Sequence, residues 1–422
     1  MREMKDSGIE WIGEIPINKQ VLRNKYMFSY EKGKLPNSTN LEKRGFPYIG
    51  ASDLDSISTE YTTYTDDETL SDTEYNDLLV LWDGARAGLC GTHKVGKVSS
   101  TIVRIRGNAT VYQPFLYWYY KGFEDFMDQS VNGTTIPHMN RKYIEDIGFI
   151  NWAIEEQQRL SAYLDKKCTK IDSVIAKQQK IIEKLKAYKL SVITEAVTRG
   201  LNPDVKMKDS GYEFIGTVPE HWNVCRLRNI GTPQNGISKD GDFFGHGYPF
   251  VSYGDVYRNF SLPETLNGLV ETTEEEREQY SVKEGDIFFT RTSETIEEVG
   301  FSCVCEKTIK NATFAGFVIR LRPFVDDLVT GFAKYYFRSN HHRFYLVKEM
   351  NLVTRASLGQ NLLKSMPVLL PPKKEQQEIA DYLDKKCSAI DSAIKKKQAL
   401  IEKLTEYKKS LIYEVVTGKK EV

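Results

Sequence analysis

The chain has 422 residues, 40% of them hydrophobic and 12% aromatic, which is long for one domain and comfortable for two, and its 58 Lys and Arg balance 58 Asp and Glu to zero net charge. No apolar run reaches the roughly 18 residues that span a bilayer, the polar start from Met1 to Asp6 is not a signal peptide, and six scattered cysteines build no disulfide framework. A cytoplasmic location is therefore expected, while zero net charge neither favours nor excludes nucleic acid, because it can hide local partition.

The first element in chain order is Lys5-Asp6-Ser7-Gly8-Ile9-Glu10-Trp11-Ile12-Gly13, with Pro16 after it. It returns as Lys208-Asp209-Ser210-Gly211-Tyr212-Glu213-Phe214-Ile215-Gly216 with Pro219, so the chain is a duplication. Between residues 17 and 154, β-rich runs predict strands at 46–49, 78–82 and 101–105, and an aromatic stretch predicts a short helix at 115–120. Residues 53–77 hold nine acids and no Lys or Arg, whereas 84–123 hold Arg86, Lys94, Lys97, Arg104, Arg106 and Lys121 and no acid. A one-sided basic face, with His93 among its residues, is what a phosphate backbone requires. The loop Asp83-Gly84-Ala85-Arg86 follows a predicted strand, and its Asp is also suited to tying down the turn. A polar run then precedes the next element, with Thr134, Thr135, His138, Asn140, Arg141 and Lys142 as candidate base or phosphate contacts.

From about 156 to 198 there is no glycine or proline, and Gly200 supplies a stop signal. Leu164, Cys168, Ile171, Ile175, Ile182, Leu185, Val192 and Ala196 follow a four-three spacing, a heptad seam interrupted by Gln178 and Lys189. About 43 residues of helix span roughly 65 Å. After the second copy of the opening motif, residues 220–373 repeat the variable pattern. Runs at 250–253, 286–290 and 317–321 predict strands, and 332–337 a short helix. Cys303 and Cys305 share a strand face without further ligands nearby for a metal. Glu271, Glu274, Glu275, Glu276 and Glu278 form an acidic patch, followed by Lys334, Arg338, Arg343, Lys348 and Arg355. The matching loops here offer Arg291, Thr292 and Ser293, and before the helix Thr354, Arg355, Ser357, Gln360 and Asn361. For each loop residue, ordinary turn chemistry is the competing reading.

The second helix, 375–417, repeats the first. Tyr163-Leu164-Asp165-Lys166-Lys167-Cys168 recurs unchanged as Tyr382 to Cys387, and well over half of the aligned positions are identical. Its seam runs through Leu383, Cys387, Ile390, Ile394, Ile401, Leu404, Leu411 and Val415, with Lys397 and Lys408 interrupting. Two such seams in one chain, with a folded domain between them, predict an antiparallel pair that spaces two domains. The repeat offset grows from 203 to 219, so the second variable region is 16 residues longer. A shared frame carries two different inserts, and the long helices hold more than their share of the positive charge.

No Asn-Pro-Pro-Tyr loop, Gly-rich cofactor loop or Walker loop is present, and Asn202-Pro203-Asp204 lacks the second proline and the aromatic. With its two copies of Lys5–Gly13 and of Glu156–Thr198, the whole chain resembles the specificity subunit of type I restriction-modification systems. The resemblance implies an α+β fold of two mixed α/β target-recognition domains separated by two long antiparallel coiled-coil helices. On this reading residues 1–154 are the first recognition domain, 155–200 the central helix, 201–373 the second recognition domain and 374–422 the distal helix. It implies a non-catalytic subunit that binds double-stranded DNA, each domain reading one half of a bipartite asymmetric target. Two methyltransferase subunits would dock on the helices and two restriction or motor subunits would join them. S-adenosylmethionine, ATP and Mg would belong to those partners, with no cofactor held by this chain. A protein-interaction scaffold with two variable binding domains, or an enzyme with an unfamiliar site, remain the alternatives from residues alone.

Overall fold

The computed structural model describes residues 3–55, 60–124, 126–127, 131–132, 137–293, 299–349 and 356–422. The chain forms two compact units, Met1–Gln179 with Gln398–Val422, and Lys180–Lys397. Each unit contains one variable region and half of each long helix.

The first long helix is Ile154–Arg199 and the second is Lys373–Val416. Both end where a glycine takes a positive φ, Gly200 at 75° and Gly418 at 79°, a conformation that side-chain-bearing residues rarely adopt. In the first unit, Trp152 Nε1 donates to Val416 O at 3.1 Å, and Lys408 Nζ meets both Asp172 carboxylate oxygens at 2.7 Å. As residue numbers rise on one helix they fall on the other, so the helices are antiparallel there. The second unit repeats this through Lys189 Nζ, 2.7 Å from Asp391 Oδ2, and through Gly200, whose vicinity holds the side chain of Glu375. Lys189 and Lys408, expected as polar interruptions of the seam, are the lysines of these two bridges. The seam itself is enclosed: Leu164, Cys168, Ile171, Leu411 and Val415 enter the core of the first unit, and Val192, Ala196, Leu383 and Cys387 that of the second. Full burial of a Leu-sized side chain contributes about 1.5–3 kcal/mol.

The units share one topology. In the first, an antiparallel four-stranded sheet runs in the order Phe28–Lys32, Ile102–Gly107, Leu78–Leu81, Cys90–Gly91. In the second the order is Gly231–Asn235, Val318–Pro323, Ile287–Thr290, Ser302–Val304. A smaller mixed sheet accompanies each, Tyr64–Thr65 with Phe46–Ile49 and Lys97–Val98, and Gly268–Val270 with Phe244–Val251 and Thr313–Phe314. The aromatic stretches are helices Gln113–Gly122 and Thr330–Tyr336, and Phe115, Tyr119, Tyr120, Phe332 and Tyr336 are core residues. Among the described residues no helix is long and apolar enough to cross a membrane.

Residues kept identical between the copies make the same bonds. Gln157, fully buried, accepts from Tyr112 N at 2.8 Å and donates to Thr110 O and Trp152 O; Gln376 accepts from Val329 N at 2.8 Å and donates to Asp327 O and Pro371 O. Asp165 accepts from Trp118 Nε1 at 2.8 Å, and its repeat Asp384 from Tyr335 Oη at 2.6 Å. These bonds fix each long helix to its own sheet domain. Buried donors and acceptors left open cost about 1–3 kcal/mol each, which explains why such side chains match in both copies.

Candidate nucleic-acid interface

In each unit the loop after a central sheet strand meets the segment that precedes the long helix. After Leu78–Leu81 in the first unit, Trp82 O accepts from Met139 N at 2.9 Å, Asp83 forms a bridge with His138, and Gly84 N donates to Pro137 O at 2.9 Å. After Ile287–Thr290 in the second, Arg291 O accepts from Leu358 N at 2.7 Å, and Thr292 and Ser293 pair with Ser357 and Ala356. The pairings occupy equivalent places, so both units carry the same rim with different side chains.

The strands behind each rim are braced alike. Arg106 grips Asp77 through Nε at 2.5 Å and Nη2 at 2.7 Å, and Arg322 grips Asp286 through the same atoms at 2.7 and 2.6 Å. The aspartates are 2% and 1% exposed, and each also accepts a backbone N–H three residues back, from Glu74 and Lys283, at 2.7 Å. A buried bidentate pair of this kind holds its strands in register.

At the first rim, His138 Nδ1 lies 2.7 Å from Asp83 Oδ1 and Lys32 Nζ lies 2.6 Å from Asp83 Oδ2. Partial burial opposes ionisation of Asp83, but Lys32 and His138 outweigh it and hold the carboxyl below the ordinary carboxylate range. Asp83 thus joins two cationic or donor groups rather than closing its own turn. Asn140 caps helix Arg141–Asp146, accepting from Tyr143 N at 3.3 Å. Arg141 is exposed, pairs with Glu145 at 2.7 Å and lies over the ring of Tyr30, 5.9 Å from its centroid; Lys142 is exposed beside it. At the second rim, Arg291 is partly exposed, with Nη1 donating to Gly316 O at 3.2 Å, and Thr292 and Ser293 are partly exposed too. Ser357 is exposed, and Gln360 and Asn361 open the helix Gln360–Ser365, Asn361 exposed. Thr134, Thr135, Thr354 and Arg355, with the side chains of Arg343 and Lys348, lie outside the described residues.

The expected one-sided basic face does not form from residues 84–123. Arg86 pairs with Asp55, Lys97 with Asp72 at 2.9 Å, Arg104 with Glu31, Arg106 with Asp77 and Glu74, and Lys121 with Glu124 at 2.6 Å. Asp55, Asp72, Glu74 and Asp77 of the acidic stretch thus fold against the basic one, and Glu31 and Glu124 from outside it complete the pairing. Lys97 is buried and also donates to Glu68 O and Leu70 O. Lys94 is buried near Tyr61, and burial lowers its pKa against the opposing pull of Asp53. His93 is exposed, stacked on Tyr75 with centroids 4.5 Å apart. In the second unit Lys334 pairs with Asp384 at 2.7 Å, and the Arg338 guanidinium donates to Ser302 O, Val256 O and Asn259 O. Sequence reasoning also missed Lys32, Tyr30 and Phe317 at the rims. Lys32 belongs to a strand whose neighbour in the sheet is 70 residues away, and only the ladder register places it at the rim.

The family model for the type I restriction modification DNA specificity domain matches twice, over residues 16–194 and 219–403. The chain is 26% identical over 414 residues to the type I restriction enzyme MjaVIII specificity subunit of Methanocaldococcus jannaschii, covering 96% of this chain and 93% of that one. It is 23% identical over 356 residues to the type I restriction enzyme EcoBI specificity subunit of Escherichia coli, covering 81% and 73%. Among solved structures, a chain from work on complex assembly and conformational transition of the type I R-M system superposes with a TM-score of 0.71 at 16% identity, over 96% of this chain and 99% of that one. That likeness supports the fold.

Proposed function

The chain belongs to the type I restriction-modification specificity family, as a non-catalytic DNA-recognition subunit, and on that premise we propose that its two units each read one half of a bipartite, asymmetric DNA target. One observation carries the reading: two identically braced rims present Asp83 and His138 in one unit, and Thr292 and Ser357 in the other, at equivalent backbone positions. Equal frames with unequal side chains are what two readers of different base sequences need, since base edges are distinguished by donor and acceptor pattern. The proposed readers are residues 1–154 and 201–373, and residues 155–200 and 374–422 are the helical frame.

The frame offers a docking surface for methyltransferase subunits, two by the symmetry of the repeat. Tyr188 and Ile181 leave apolar area exposed on the second unit, and their repeat partners Tyr407 and Leu400 do so on the first. Two restriction or motor subunits complete the proposed assembly. S-adenosylmethionine, ATP and Mg act in the partners, and the complex works on DNA in the cytoplasm. Because Arg86, Lys97, Arg104, Arg106 and Lys121 are paired internally, phosphate contacts come largely from those partners.

Sequencing modified bases in a host with and without this chain tests the reading. A split motif with a gap of unspecified bases is expected to vanish on deletion; an unchanged methylome overturns the proposal. In the reconstituted complex, Arg141→Ala is expected to weaken binding at one half-site only, and equal loss at both halves would sink the two-reader reading.

A further inference from the structure

At the second rim two side chains face each other across the ladder. The register that pairs Ile287 with Leu321 and Thr290 with Val318 continues by one residue, because Arg291 N donates to Phe317 O at 2.9 Å. Directly opposed residues on neighbouring antiparallel strands project from the same face, and successive pairs alternate faces. Thr290 and Val318 are fully buried on one face and Phe289 and Ile319 on the other, and the ladder ends one pair further at Arg291, which is partly exposed, and Phe317, which is 63% exposed. The bond from Arg291 Nη1 to Gly316 O, at 3.2 Å, ties the guanidinium to the residue that precedes Phe317.

The frame does not require an aromatic there. The equivalent pair in the first unit is Trp82 and Thr101, joined by the same hydrogen bond, Trp82 N to Thr101 O at 2.7 Å, and the place of Phe317 is taken by a small polar residue. Single exposed apolar side chains are common on protein surfaces, so exposure alone says little. The placement says more: this phenyl stands next to an arginine, on the row of backbone whose counterpart differs between the units.

Thymine alone displays a methyl group in the major groove, and apolar side chains recognise it; arginine pairs with O6 and N7 of guanine. We propose that Phe317 is a base-reading residue of the second unit, packing on the 5-methyl group of a thymine while Arg291 addresses an adjacent guanine. This rests on the reading of each unit as the reader of one half-site. It assigns a thymine next to a guanine to the half-site of the second unit.

The test uses the full complex with its methyltransferase partners and fluorescent duplexes of the mapped target. Each thymine of both half-sites is replaced in turn by deoxyuridine, which pairs like thymine but lacks the methyl. At one position the wild-type complex is expected to bind about fourfold more weakly, the effect of one buried methyl-sized group. Phe317→Ala is expected to bind the thymine duplex roughly tenfold more weakly, to be indifferent to uracil at that position, and to respond as wild type to every other substitution, with Phe317→Leu in between. If no position separates Phe317→Ala from wild type while the wild type still discriminates its target from unrelated duplex, the assignment of Phe317 fails and the two-reader function stands. If the wild type shows no such discrimination, both fail.

Discussion

The two units differ least where they are most buried and most where water can reach. Asp77 with Arg106 and Asp286 with Arg322 are the same bidentate pair in the same bond pattern. Gln157 and Gln376 staple the same junction. A few residues along each strand, Asp83 and His138 give way to Thr292 and Ser357 and Thr101 to Phe317, while the buried Trp82 gives way to the partly exposed Arg291. The reason is energetic. A buried donor or acceptor has no substitute partner, so a change there costs stability at once, whereas a rim side chain exchanges one partner for water at little cost. Duplication followed by divergence then yields one scaffold and two reading surfaces.

The comparison can be broken most sharply at the braces. Asp77→Ala and Asp286→Ala each remove the buried carboxylate that an arginine grips, Arg106 keeping only the exposed Glu74, and are expected to destabilise their own unit by about 3 kcal/mol. Denaturant-dependent hydrogen exchange, followed segment by segment, reads each unit separately. Costs that differ several-fold between the two variants would show that the braces are not equivalent.

A smaller contrast lies where Phe123 packs on Tyr119 and Tyr120 in the first unit and His342 on Tyr336 and Phe337 in the second. His342 is buried, with Nδ1 3.1 Å from Ser339 Oγ and its ring packed on Tyr336, and burial pushes its pKa down to about 3, helped by His341 and opposed by the bond to the Tyr336 backbone. A folded-state pKa below the ordinary 6.5 means that the unfolded chain takes up the proton first. The neutral ring's contribution is intact above about pH 6.5 and is lost progressively as the pH falls toward 3. Between pH 7 and 5 this amounts to about 2 kcal/mol. Exchange protection of the second unit is thus expected to fall over that range more than that of the first, and His342→Phe is expected to remove most of the difference. An acid response unchanged in that variant would assign the sensitivity to other groups.

The weakest expected effects belong to the helix bridges. Lys189→Met and Lys408→Met each remove a partly exposed ion pair, from Asp391 and Asp172, and are expected to cost about 0.5 kcal/mol or less in thermal unfolding. The two values should match, since the bridges are repeat images of one another.

Much of the architecture was legible in the residues. The heptad positions from Leu164 to Ala196 and from Leu383 to Val415 are the ones the structure encloses or partly encloses, and the β-rich runs at 78–82 and 286–290 are central strands. The candidate site was legible only in pieces. The loops at 83–86 and 137–142 could each be singled out, as could 291–293 and 356–361, but nothing in their composition says that they pair with each other. The basic stretch 84–123 read as one face because its partners, Glu31, Asp55, Asp72, Glu74, Asp77 and Glu124, all stand outside it in the chain.

Sequence by itself determined the duplication, the two long helices and the absence of a familiar catalytic motif, because periodicity and repetition are local or self-referential signals. Tertiary structure decided which charges are neutralised and which loops share a rim, and it placed Phe317 beside Arg291. Those outcomes depend on strand register and on contacts between residues far apart in the chain, where burial and hydrogen bonding, not composition, select the partner.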